Sequence, residues 1–375
     1  MTEDRQDPAA DTPPVQPAPP PLVEEEQVTD YPLVHEESTP PKPLSRRLRD
    51  PRTIISIVLP IAILVLVLGA LPGFHLDQMI PLITNANPWL LLAAVGVYYI
   101  GFPLRGYRWT LLLRGAGTEV RVRDSTEIIV ISWLVNCLVP AKLGDVYRAY
   151  LLRLSYAVSL SRTFGTVFIE RVFDLFAIVL LGLAAGFWSF RSGMSPEVQL
   201  VFAVGLVVLV VLAIGLYTVR NFGSRLIRRL PLPARVVEFY DRFEEGVFSI
   251  NARRVPLIAF VTALIWSTEA LRLYLVVLAL GFDIHLGISG AFFVALIASL
   301  LTAIPFTPAG LGAVEGAVVV ILTTFYGATT NEAVAITLVD RAISVLSIIV
   351  VGGIVYILSD KTKPNRQPID APAAT

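Results

Sequence analysis

Pro140-Ala141-Lys142-Leu143-Gly144-Asp145-Val146 recurs as Pro308-Ala309-Gly310-Leu311-Gly312-Ala313-Val314, with five of seven positions matched at an offset of 168. Moving outward, Leu104-Arg105-Gly106-Tyr107 matches Leu271-Arg272-Leu273-Tyr274 at 167, and Glu170-Arg171 matches Asp340-Arg341 at 170. Three matches in one order, at nearly one offset, mark a duplicated unit over about residues 88–219 and 256–358. Both seven-residue stretches open on proline, which removes a backbone donor and stops a helix. Each divides an apolar run into two pieces: 128–139 and 143–154 in the first copy, 288–304 and 311–325 in the second. Such pieces fall short of the ~20 residues that a bilayer-spanning helix needs.

The remaining apolar segments are 54–71, 88–113, 163–190, 198–219, 256–280 and 333–358. Runs of this length exclude a soluble globular protein. The connections 42–52, 114–123, 142–162, 220–254 and 361–366 hold 23 Lys and Arg, whereas 72–87, 190–197, 282–290 and 327–331 hold one, Arg191. That asymmetry places both termini in the cytoplasm of a multi-pass plasma-membrane protein. Basic connections flank 128–154 on both sides, so this stretch enters and leaves on one face, and 288–325 does so on the opposite face. Both read as re-entrant hairpins of half-helices, with Asn136, Pro140 and Gly144 in the first and Pro305, Pro308, Gly310 and Gly312 in the second. A pair of short tilted spans at each place is the alternative. Irregular backbone at membrane depth persists only where protein buries it or where it lines a cavity. Segment 88–113 runs inward and 256–280 outward, which makes the copies inverted, as in secondary transporters. The expected fold is all-α: a polytopic membrane protein of two inverted-topology repeats, each with a re-entrant half-helix hairpin, plus one extra N-terminal span.

The formal net charge is zero, with 30 Lys and Arg against 30 Asp and Glu, in a chain of 375 residues that is 55% hydrophobic and 16% charged. The zero conceals a division. Residues 1–50 hold 11 acids, 5 bases and 11 of the 27 prolines, the composition of an acidic, disordered cytoplasmic tail. Residues 51–360 form the membrane domain and 361–375 a second cytoplasmic tail. No signal peptide is expected, because residues 1–43 are polar and Pro-rich. A single cysteine, Cys137, excludes an intrachain disulfide. His35, His75 and His285 lack metal-ligand spacing, so no metal is expected. The linker 220–254 joins the copies. In it Val236, Val237, Phe239, Tyr240, Phe243, Val247 and Phe248 alternate with Arg235, Glu238, Asp241, Arg242, Glu244 and Glu245 at helical spacing. Such a helix either lies on the cytoplasmic membrane surface or packs on the protein.

Five arginines fall inside apolar segments: Arg105, Arg108, Arg171, Arg272 and Arg341. Five acids accompany them: Glu170, Asp174, Glu269, Glu315 and Asp340. A charge at a helix centre costs about 2.5–3.5 kcal/mol on insertion scales. These groups therefore pair with one another, face a wet cavity or hold a charged ligand. Internal ion pairs that fix helix packing are one reading. A substrate-binding site is the other, because arginine presents a planar fork matched to phosphate oxygens. Half-helix N-termini after Pro140 and Pro308 would add free N–H groups, and Gly144, Gly310 and Gly312 would let backbone approach an anion.

The set Arg105…Arg108-Trp109, Asn136…Pro140…Gly144-Asp145…Arg148, Glu170-Arg171…Asp174, Pro305…Pro308…Gly310…Gly312…Glu315 and Arg341 resembles the transmembrane region of lysylphosphatidylglycerol synthases, a flippase-like membrane family. The likeness covers about residues 50–360. Asp145 departs from it, since the family more often has Glu; the charge survives on a side chain one methylene shorter. The bifunctional synthases carry an aminoacyl-transferase domain after the membrane part, whereas this sequence ends at Thr375. The resemblance therefore implies lipid movement between leaflets rather than synthesis, and no enzymatic role is expected.

The implied binding set is Arg105, Arg108, Asp145, Arg148, Glu170, Arg171, Asp174, Arg272, Glu315, Asp340 and Arg341, with a phosphate-bearing lipid as substrate and Glu170, Asp174 and Glu315 as candidate proton carriers. No cofactor is expected, as no G-x-x-x-x-G-K-[ST] motif occurs. Neither nucleic acid nor a catalytic residue is expected, while envelope-lipid biosynthesis proteins are possible partners. The alternatives are a membrane-embedded enzyme and a scaffold subunit acting on lipid-linked envelope precursors.

Overall fold

Two helices, Pro88–Gly115 and Val255–Leu280, make the most extensive helix pair of the structure, and each carries one of the matched arginines, Arg105 and Arg272. The computed structural model describes residues 76–139, 142–156, 158–302 and 308–362. The expected tail 1–50, the first apolar run 54–71, Pro140 and Pro305 lie outside the described residues, as does 363–375. The described residues are helical without a strand.

In chain order the helices are α1 (Leu76–Thr84), α2 (Pro88–Gly115), α3 (Val122–Leu138), α4 (Leu143–Tyr156), α5 (Leu160–Ser189), α6 (Pro196–Arg229), α7 (Ala234–Val247), α8 (Val255–Leu280), α9 (Gly287–Thr302), α10 (Ala313–Phe325), α11 (Thr330–Arg341) and α12 (Ser347–Leu358). Local chemistry starts them where they start. The Asn87 carboxamide oxygen accepts from the amides of Trp89 and Leu90 at 3.0 and 3.3 Å, with Pro88 at the first helical position. Thr329 and Glu332 form a reciprocal capping box at the head of α11. A five-residue π turn, Ala342–Leu346, joins α11 to α12 directly after Arg341. Turns of that kind frequently mark functional sites within helices.

By length and composition, Pro88–Gly115, Pro196–Arg229, Ala252–Leu280 and Thr330–Leu358 can cross a bilayer. Helix α5 is longer than α2, at 30 residues, but carries Glu170, Arg171 and Asp174 in its middle. Helices α9 and α10 are short, with 16 and 13 residues. Most expected segments agree within three residues. The exceptions have visible causes. Helix α3 begins six residues before 128 because its polar first turns have partners: Lys361 reaches Asp124 at 2.8 Å and Glu127 at 2.5 Å. Helix α6 runs on to Arg229, and α1 occupies part of the connection 72–87. Helix α7 packs on α5, where Gly165 and Gly246 let the backbones meet and Arg162 reaches Glu245 at 2.6 Å.

The core follows the inner helices. Trp109, Leu112, Ile128, Ile129, Leu151, Val294 and Ile336 are fully buried. Helix α6 is peripheral: it buries only Val198 and Gly205, and Leu200, Val204, Val207 and Val211 are exposed. The pair α3–α4 and the pair α9–α10 pack on each other internally, and the Pro308–Gly310 turn packs on α3. In the first pair Gly144 is obligatory, because a Cβ there would stand 2.0 Å from the Ser132 carbonyl oxygen.

Candidate functional site

Helices α2, α3, α5, α8, α9 and α11 surround a cavity of about 370 Å³, closed further by residues from α4, α10 and the turns. Five arginines and five carboxylates line it, with Lys142, Asn136 and Gly310. Its other wall is apolar: Leu175 and Ile178 from α5, Ala295 and Ala298 from α9, Val314 and Val318 from α10. Nine of the eleven expected binding residues line the space, namely Arg105, Arg108, Asp145, Glu170, Arg171, Asp174, Arg272, Asp340 and Arg341. Arg148 and Glu315 stand behind it, each bound to a lining residue.

The charges form two chains and one separate pair, Arg341–Glu315. In the first, Arg108 Nη1 donates to Asp174 Oδ1 at 2.6 Å and to Thr262 Oγ1 at 2.9 Å, while its Nη2 lies 3.1 Å from Glu170 Oε1. Arg148 donates to both oxygens of Glu170, at 3.2 and 2.8 Å, and stacks 4.3 Å from the Trp109 ring centre. Arg171 grips Asp145 through two bonds of 3.0 and 2.7 Å. In the second chain, Arg105 donates to Glu269 at 2.7 Å, Glu269 also accepts from Arg272, and Arg272 holds Asp340 at 2.8 and 3.0 Å. Arg341 donates to Glu315 at 2.7 Å and to the Ala309 carbonyl at 2.5 Å.

These bonds resolve how so many charges persist among apolar helices. Leaving one ion of a buried pair alone costs about 3–5 kcal/mol, so pairing is the condition for burial at all. The six arginines are not equivalent in access. The side chains of Arg108 and Arg148 are 1% and 2% exposed, whereas those of Arg171 and Arg341 are 30% and 15% exposed. Arg171 and Arg341 are therefore the most exposed of the six.

The two turns carry matching features. Lys142 and Ala309 both have φ of 51°, a left-handed conformation unusual for residues other than glycine. Asp145–Arg171 and Glu315–Arg341 are both bonds across 26 residues. The two helix heads share one further feature. One glycine amide at each is taken: Gly144 N–H donates to Asn136 Oδ1 at 2.8 Å and Gly312 N–H to Glu315 Oε2 at 2.6 Å.

Four residues missing from the expected set complete the site. Glu269 bridges Arg105 and Arg272, Trp266 donates to Asp174 at 3.0 Å, Thr262 supports Arg108, and Lys142 lines the cavity. Thr262, Trp266, Glu269 and Arg272 recur at helical spacing on α8, a polar stripe within an apolar segment that reading by face would have found.

Comparison with known proteins places these features in a family. The family model described as "Lysylphosphatidylglycerol synthase TM region" matches residues 54–352. A UPF0104 membrane protein of Methanocaldococcus jannaschii is 36% identical over 60% of this chain and 94% of its own length. A second UPF0104 membrane protein, from Methanothermobacter thermautotrophicus, is 26% identical over 78% of this chain and 90% of the relative. The protein named glycosyltransferase AglD, from Haloferax volcanii, is 30% identical over 81% of this chain, which spans about half (54%) of that relative. This last match corrects the expectation of no enzymatic role, since a relative aligned with most of the chain bears the name of an enzyme. The chain is a multi-pass membrane protein, and it belongs to the family of the lysylphosphatidylglycerol synthase TM region.

Proposed function

We propose that the protein binds a phosphate-bearing lipid in the central cavity and moves it between leaflets. One observation carries this reading: a single cavity with a charged wall and an apolar wall, both within a membrane protein. A head group suits the first wall and the start of an acyl or isoprenoid chain the second. Arg171 and Arg341 are the contacts for phosphate oxygens, because they are the more accessible forks. Their bonds to Asp145 and Glu315 are exchanged for bonds to phosphate as the lipid enters.

The proposed mechanism uses two inverted copies with re-entrant hairpins. The left-handed backbone at the aligned Lys142 and Gly310, φ 51° and 72°, and the equal spacing of the two arginine–carboxylate bonds support that symmetry. Two similar halves give two similar energy minima, one open to each leaflet. The termini face the cytoplasm, on the basic fringe of the connections.

A second reading rests on the glycosyltransferase name of one relative. In it the same cavity presents a lipid-linked substrate to a transfer reaction, and the buried carboxylates are candidate general bases. Mass analysis of lipid copurified with the protein tests both. An anionic lipid recovered unchanged after incubation supports transport, and a chemically altered lipid supports the second reading. Purified protein free of any stoichiometric lipid, and unable to take one up, would contradict both.

A further inference from the structure

Helix α6 is longer than a bilayer requires. Its apolar stretch, 198–219, is about 33 Å long at ~1.5 Å per residue, so it already crosses a hydrocarbon core of about 30 Å. The same helix continues through Arg220 to Arg229. Its charge changes abruptly there. From Arg220 to Arg235 the chain has five arginines, Arg220, Arg225, Arg228, Arg229 and Arg235, and neither Asp nor Glu.

This stretch folds back on α7 as a defined corner. A Cβ at Gly223 would stand 1.9 Å from the Tyr240 hydroxyl oxygen, and Arg228 reaches Asp241 at 3.2 Å. Other acids of α7 are held as well, Glu238 by Arg242 at 2.5 Å and Glu245 by Arg162 at 2.6 Å. Glu244, half-buried, is the remaining carboxylate of α7. Arg220, Arg225, Arg229 and Arg235 are exposed and, among the described residues, make no ion pair. Four guanidinium groups against one carboxylate leave the corner positive.

Apolar side chains stand among these charges. Phe222, Leu226 and Leu230 follow at four-residue spacing on one face and are 50%, 60% and 47% exposed. Leu232, Val236 and Phe239 are exposed beyond them. Water alone is a poor surrounding for such side chains, and an apolar one is poor for unpaired arginines. A membrane surface suits both, with acyl carbons for the first and phosphate oxygens for the second. Neither α6 nor α7 lines the central cavity, so this surface is separate from it.

We propose that the α6–α7 corner is a docking surface for anionic lipid head groups, on the membrane face at which α6 ends. Arg220, Arg225, Arg229 and Arg235 meet the phosphates, while Phe222, Leu226 and Phe239 reach the first acyl carbons. The lipids held there are neighbours of the protein and not the guest of its cavity. Because α7 packs on α5, which carries Glu170, Arg171 and Asp174, this lipid shell steadies a helix that supports the cavity wall.

The test is amide hydrogen exchange of the full-length protein in vesicles of phosphatidylcholine alone or of phosphatidylcholine mixed with phosphatidylglycerol. The anionic lipid is expected to slow exchange over 220–247 by roughly fivefold or more, the effect of about one juxtamembrane arginine contact. High salt removes the slowing, because exposed charges are screened. The quadruple variant Arg220→Gln, Arg225→Gln, Arg229→Gln and Arg235→Gln keeps less than about twofold of it. These side chains strand no ion-pair partner, so exchange in α2 and α8 stays at the wild-type rate and shows that the variant is folded. Equal exchange over 220–247 in the two kinds of vesicle, or slowing that the quadruple variant retains, overturns the proposal. Slowing confined to the helices that line the cavity supports the transport reading and overturns this one. Slowing by inorganic phosphate or polyglutamate in phosphatidylcholine vesicles, with none from phosphatidylglycerol, makes the corner a site for a soluble anion or an acidic protein and overturns the lipid assignment.

Discussion

Arg108 and Arg171 each hold two carboxylates, but the side chain of Arg108 is almost sealed from solvent whereas that of Arg171 is 30% exposed. The difference predicts opposite phenotypes. Arg108→Ala takes the shared cation from Glu170 and Asp174 in the interior and leaves Asp174 only the longer Arg171 contact and the Trp266 N–H, so stability falls by about 3–5 kcal/mol, read as a lower melting temperature in detergent. Glu170 keeps Arg148, which holds the loss within that range. Arg171→Ala leaves Asp145 on the cavity wall, so the folded yield is retained while lipid exchange is lost; Arg341→Ala also loses lipid exchange, but it leaves Glu315 buried without its cation and lowers the melting temperature as well. A melting temperature for Arg108→Ala equal to that of wild type would show that these pairs do not hold the interior. The site was partly legible at this scale. Charged residues inside apolar segments stood out by their cost, and nine of the eleven named line one cavity. Lys142 was hidden because it read as one more charge of a cytoplasmic connection, whereas Glu269 stood out among the intramembrane acids but was not placed in the binding set.

Helix positions followed from apolar runs wherever the run itself sets the boundary, as in α2 and α8. They failed where a polar partner extends the helix. Lys361 extends α3 by gathering Asp124 and Glu127, and Ser359 adds a bond to Glu127, tying the end of α12 to the head of α3. Hydroxyl contact from Tyr156 to Asp124 at 2.7 Å brings α4 into the same junction. Lys361→Met leaves both carboxylates without their cation, and faster amide hydrogen exchange over 347–362 is expected, with the α2–α8 pair unchanged. Equal exchange in the variant and wild type would remove the junction from the account. Helix α7 is a second case. A Cβ at Gly246 would stand 2.2 Å from the Arg162 carbonyl oxygen, so Gly246→Val displaces α7 from α5. Protease sensitivity across 230–254 is expected to rise several-fold, because the apolar face of α7 loses its cover. Sequence periodicity showed that α7 is amphipathic; it could not show whether protein or membrane covers it, since both are apolar.

The molecule as a whole joins two scales that the sequence already connected. Short motifs 168 residues apart became two turns left-handed at the aligned positions Lys142 and Gly310, with two equally spaced arginine–carboxylate bonds beside one cavity. What periodicity left unread is the pairing pattern, because ion pairs between distant helices depend on rotation about each helix axis. The central claim is that this cavity passes lipid between leaflets. It is tested most directly by reconstituting the full chain into vesicles with nitrobenzoxadiazole-labelled phosphatidylglycerol and reducing the outer leaflet with dithionite. Ala298→Trp, which fills the apolar wall, is the paired control. The account predicts that wild type lets dithionite reach most of the label at a rate well above protein-free vesicles, and that Ala298→Trp returns it to the outer-leaflet half. A wild-type trace that stops at the outer-leaflet half, or an Ala298→Trp trace that matches a fast wild type, would contradict it.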